Sequence, residues 1–140
     1  MEDKGIASDA IDSAKRWFTS AESNAGAGNY DTALYSLEMS VEIAFKGLLF
    51  ALGADAPKSH SIGDLVIKSV RGNGRLPKEL TAKIDGFVAT FNALLSLRQA
   101  SGYVFETRYD MRELKAEYRK YARDAEELIA ECGKAVSALK

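Results

Sequence analysis

The stretch MRELKAEYRKYARDAEELIAECGKAVSAL, residues 111–139, decides the fold. Met111, Leu114, Tyr118, Tyr121, Ala125, Leu128, Cys132, Ala135 and Leu139 follow one another at steps of three and four without a slip. That period places all nine on one side of an α-helix. Asp110 and Glu113 form a capping-box-like start, an acceptor for an orphan N–H placed where the periodicity begins. A stripe this long needs partners, and the rest of the chain supplies them.

Upstream, Leu80, Ile84, Phe87, Phe91 and Leu94 keep the same period behind Pro77, which suits a first helical turn. Further back, Leu34, Leu37, Val41, Ala44, Leu48 and Leu52 define a helix with Asn29 or Asp31 near its start. Gly53 falls at the left-handed position that ends such a helix, and Pro57 blocks continuation. The first segment carries Ile11, Ala14, Phe18, Ala21 and Ala25, with Ser8 or Asp9 as its expected N-cap. The run 24–29, NAGAGN, breaks it. A short helix from about 61 to 70, with Ile62, Leu65 and Val66 on one side, closes on Arg71-Gly72-Asn73-Gly74. No segment alternates with period two. The expectation is one all-α domain over residues 1–140, an up-and-down four-helix bundle with one additional short helix.

Composition agrees and excludes much else. The 140 residues are 46% hydrophobic, with 19 basic and 20 acidic side chains and two prolines. A net charge of −1 argues against a globally basic nucleic-acid binder, leaving room for local patches. One cysteine (Cys132) and one histidine (His60) allow neither a disulfide framework nor a Cys/His zinc site. The single histidine also excludes the paired Glu-x-x-His motifs of a di-iron bundle, so no cofactor or metal is expected. No uncharged run is apolar enough to span a bilayer and the N-terminus has no signal-peptide pattern, so no membrane is expected and the cytoplasm is the expected compartment.

Polar residues of interest gather between the last two long helices: Arg98, Tyr103, Glu106, Arg108, Tyr109 and Asp110. Arginine offers a planar fork for phosphate, and tyrosine a stacking face with a hydroxyl. Two readings stay open here. In one, these residues hold a nucleotide or RNA backbone. In the other, the tyrosines plug the end of the bundle while the arginines pair with Glu106 and Asp110. Residues 98–123 hold seven bases against four acids, whereas residues 1–60 hold five against nine. Lys115 and Arg119, flanked by Arg112 and Arg123, would draw an anion toward the junction, unless the strip is only a solvated face. His60, just before the short helix, reads either as a general base or as a residue that caps or packs at the helix start. Glu38, Glu42 and Lys46, spaced i, i+4, i+8, read as a surface ion-pair ladder.

Several of these residues together resemble one family. The runs Asn29-Tyr30-Asp31-Thr32-Ala33-Leu34 and Glu42-Ile43-Ala44-Phe45-Lys46-Gly47-Leu48, then Gly53, Pro57, Ser59-His60-Ser61-Ile62 and Leu65, are similar to the HEPN domain (higher eukaryotes and prokaryotes nucleotide-binding). Arg98, Tyr103 and Thr107-Arg108-Tyr109-Asp110 fit it as well. The resemblance implies a helical, often dimeric bundle that works with nucleotides or RNA, in many members as partner of a minimal nucleotidyltransferase. It implies Arg98, Tyr103, Arg108 and Tyr109 as ligand contacts, with His60 behind them. Other members are metal-independent ribonucleases with an Arg-x(4–6)-His motif. Arg98 matches the arginine, but positions 103 to 105 are Tyr103, Val104 and Phe105. The turn Arg108-Tyr109-Asp110 is closer to the Arg-Tyr-Pro-Asp-like turn of nucleotide-binding members, without its proline. The reading is therefore a non-catalytic homodimer that binds nucleotide or RNA phosphate. The alternatives are a divergent ribonuclease or a protein–protein interaction module.

Overall fold

A computed structural model describes residues 2–55, 62–101, 104–107 and 109–139. Among them are six helices and no strand: α1 (Glu2–Gly26), α2 (Tyr30–Ala51), α3 (Gly63–Arg71), α4 (Lys78–Ser101), α5 (Val104–Thr107) and α6 (Met111–Ala138). Four are long and two short. The one-turn α5 was not expected from the sequence. No helix of the described residues is long and apolar enough to cross a membrane.

The central element is α2, which packs on α1, α4 and α6 and touches α3. Its sequence explains the position. Leu34, Leu37, Val41, Ala44 and Leu48 are fully buried, and so are Phe45 and Leu49 on neighbouring faces. A helix apolar on several sides belongs in the middle. Toward α1 the fit depends on small residues: a Cβ at Gly47 would meet Ala10 Cβ at 3.0 Å and the Ala7 carbonyl at 3.2 Å. Toward α4, Phe45 meets Phe91 edge-on with ring centroids 5.6 Å apart.

The stripe of α4 is buried throughout, from Leu80 to Leu94. That of α6 is buried over Leu114, Tyr118, Ala125, Leu128, Cys132 and Ala135, while Tyr121 and Leu139 are half-buried. Met111 departs from the expectation and is exposed, because it opens the helix beyond its partners. The Asp110 carboxylate accepts from the Glu113 N–H at 2.8 Å, as the capping signature predicted.

Both α1 and α2 end on left-handed glycines. Gly53 (φ 73°) donates to the Phe50 carbonyl and Ala54 to that of Leu49. Gly28 (φ 83°) donates to Ala25 and Asn29 to Asn24. These paired bonds are Schellman motifs, in which glycine takes a conformation costly for other residues. The start of α1 differs from the expected cap. The helix already runs from Glu2, and the Ser8 hydroxyl is buried without a hydrogen-bond partner. Packing of Ala7 against α2 extends the helix past the residue that would have capped it.

Candidate functional site

The ladder on α2 is not at the surface. Glu38 is fully buried and Glu42 is 2% exposed. Both fall within the broad buried face of α2, and both turn toward the last turn of α4. There Arg98 Nη1 donates to Glu38 Oε1 at 2.7 Å and lies 3.6 Å from Glu42 Oε1. Its Nη2 donates to the Tyr35 hydroxyl at 3.2 Å, and its Cζ stands 4.5 Å from the centre of the Tyr35 ring. Trp17 of α1 stacks obliquely on that ring, with centroids 6.5 Å apart. Lys46 donates to Glu42 Oε2 at 3.0 Å. Three helices thus hold one guanidinium in a defined plane.

The electrostatics follow from burial. Desolvation first, and the neighbouring Glu42 second, push the Glu38 carboxyl from 4.5 up to about 8, against the opposing pull of Arg98. Glu38 Oε2 has no hydrogen-bond acceptor or donor of acceptable geometry. Burial and Glu42 thus favour the protonated form of Glu38, while the Arg98 guanidinium beside it favours the carboxylate. The Arg98 side chain is 17% exposed. Only some of its five N–H donors are engaged by Glu38 and Tyr35, so the fork keeps donors for a further oxyanion.

The other residues read from the sequence are placed as follows. Tyr109 precedes α6 and is exposed, as are Phe105 and Met111. Lys115 is half-buried on the first turns of α6. Arg119 lies further along α6, in a cleft against α1 with Phe18 and Glu22, away from the Arg98 cluster. Tyr103, Arg108 and His60 lie outside the described residues. The structure therefore joins Arg98 to Tyr35, Glu38 and Glu42, which the motif reading had not grouped with it. One signal could have found them. Twelve uncharged residues separate Asp85 from Arg98, so this lone charge emerges from an apolar helix and needs a counter-charge on a partner.

An all-helical domain with a part-exposed arginine held by buried carboxyl groups is the class these observations define. The model of the HEPN domain family matches residues 7–140. The chain belongs to that family. No curated protein and no solved structure matches it.

Proposed function

We propose that this HEPN domain is an up-and-down bundle whose Arg98 end binds the phosphate of a nucleotide or of RNA without cleaving it. The observation that supports this reading is the Arg98 fork, fixed by Glu38 and Tyr35 and part-exposed. Preorganised forked donors suit phosphate oxygens. Tyr109 is an exposed aromatic ring that would stack on a base; Tyr103 and Arg108, and His60 in second rank, are the further contacts that the resemblance implies. Lys115 adds longer-range attraction. The exposed apolar side chains of Phe105 and Met111 fit self-association as a homodimer. A minimal nucleotidyltransferase is the protein partner that membership of the family suggests, and the cytoplasm the compartment.

The test is a thermal-shift panel of mononucleotides and short single-stranded RNA on the wild type and on Arg98→Lys. Lysine keeps the charge but not the planar fork. Loss of the ligand-induced shift in Arg98→Lys, with its unliganded melting point close to wild type, supports the reading. Equal shifts in the two proteins refute it.

The ribonuclease reading draws support from a single feature, a Glu38 carboxyl with its pKa pushed up to about 8 by burial, beside Arg98 in a chain without the motif histidine. RNA incubated without metal distinguishes the two. Cleavage abolished by Glu38→Gln favours the enzyme, and intact RNA favours the binding module.

A further inference from the structure

The turn from α3 to α4 holds a reactive pair of residues. Of the asparagines in the chain, Asn24, Asn29, Asn73 and Asn92, only Asn73 is followed by glycine. Asn24 and Asn92 lie inside α1 and α4, where the next amide is held in the helix, and Asn29 precedes the bulky Tyr30. Asn73 stands where α3 has ended. Its N–H donates back to the Val70 carbonyl at 3.2 Å, and the chain then leaves the helix. Gly74 is exposed, and its N–H donates to no described residue. A Cβ added to Gly74 would meet nothing within 4 Å.

The electrophile beside this free nitrogen is prepared for attack. The Arg75 N–H donates to Asn73 Oδ1 at 2.8 Å. The bond closes an Asx turn, which folds the carboxamide over the Gly74 peptide group. It also aims a donor at the oxygen on which negative charge develops when Cγ is attacked, the arrangement that lowers the barrier to acyl transfer. Lys68, Arg71, Arg75 and Lys78 surround Asn73 in sequence, and residues 68–78 contain no acid. Among the described residues, the one acid paired with any of these four is Asp85, on Arg71. Positive surroundings favour both a deprotonated amide nitrogen and a carboxylate product.

We infer that Asn73 is a site of spontaneous covalent modification, at which the side-chain carboxamide is lost as ammonia and a carboxylate enters the turn between α3 and α4. The Gly74 nitrogen gives its proton to water and bonds to Asn73 Cγ. The Cγ–Nδ2 bond breaks, and ammonia leaves with a proton from solvent. The product is a cyclic imide, which water then opens. Addition at Cγ leaves an aspartyl residue in the original chain. Addition at the main-chain carbonyl carbon leaves an isoaspartyl residue, with one extra carbon in the backbone. Nothing is oxidised or reduced: one water enters and one ammonia leaves. Either product makes the net charge of −1 more negative by one unit. The extra carbon falls just before Leu76, which is buried in the core.

Peptide mass spectrometry tests this on the full chain after incubation at pH 8 and 37 °C, native and in urea, with Gly74→Ala as the variant. The added methyl group fits the open space at Gly74, so the fold is kept, while it crowds the attacking nitrogen. The expected result is a gain of one mass unit at Asn73 in the native wild type, at least as fast as in the unfolded chain. Gly74→Ala should slow that gain at least about tenfold. Conversion in urea alone would show that the fold shields the pair, and overturns the inference. Native conversion at Asn24, Asn29 or Asn92 that keeps pace with Asn73 also overturns it, as does conversion at Asn73 that Gly74→Ala leaves at the wild-type rate.

Discussion

Replacing Glu38 by glutamine should flatten the dependence of stability on pH. In the folded protein the Glu38 carboxyl keeps its proton up to about 8, chiefly because burial disfavours its charge. In the unfolded chain it ionises near 4.5. Between those values the folded state binds a proton that the unfolded state has lost, so stability falls as pH rises. Below 4.5 both states are protonated and the penalty vanishes. Each pH unit is worth at most about 1.4 kcal/mol, which sets a ceiling of about 5 kcal/mol over the window. Attraction to Arg98, 2.7 Å away, already opposes this shift, and coupling to Glu42 spreads the titration over two groups. Glutamine is isosteric, still accepts from Arg98 and cannot titrate. Urea unfolding of both proteins at pH 5, 6, 7 and 8 gives the comparison. Glu38→Gln should gain on the wild type by about 2 kcal/mol or more between pH 5 and 8. Parallel stability curves would show that the carboxyl ionises normally inside the fold and would refute the argument.

Three further outcomes follow from the same contacts. Arg98→Ala leaves Glu38 and Glu42 facing each other without their cation, and should cost about 3 kcal/mol near pH 8; chemical denaturation should show a smaller loss at pH 5, where Glu38 is already neutral. Gly53→Ala places a side chain at φ 73° and should lower stability by about 1 kcal/mol, read as a shift in the urea midpoint with unchanged slope. The Cys132 thiol is fully buried, and burial raises its pKa, so it should resist a thiol reagent in buffer and react at once in denaturant.

The long helices were legible because each has one buried face with a regular period, and that face is written directly in the residues. Ile84, Phe87 and Phe91 are buried in the order their spacing implies. Local signals failed where packing overrode them. Ser8 is a good N-cap residue, yet α1 continues through it because Ala7 sits against α2 at a separation that only small residues permit. Glu38 and Glu42 failed for the opposite reason. An i, i+4 acid pair with a following lysine looks the same on a solvated helix and on a central one. The distinction lies in how many neighbours α2 has, which no local pattern in α2 records.

The cluster around Arg98 is the part of the structure that packing alone does not account for. A buried ion pair often stabilises no more than well-packed apolar residues of the same volume, because desolvation of both charges offsets their attraction. Here the chain keeps two carboxyls and an arginine where α2 and α4 otherwise present leucine and phenylalanine. What the arrangement supplies is orientation. Glu38 holds one edge of the guanidinium and Tyr35 contacts both its second amino group and its face. A guanidinium so fixed loses little further freedom when it meets an oxyanion. An apolar substitute would pack equally well and present no donor. The buried carboxyl of Glu38 is thus best understood as a positioning group for Arg98. A Glu38→Leu protein that folds stably, yet loses phosphate-dependent stabilisation together with Arg98→Lys, is the combination this argument requires.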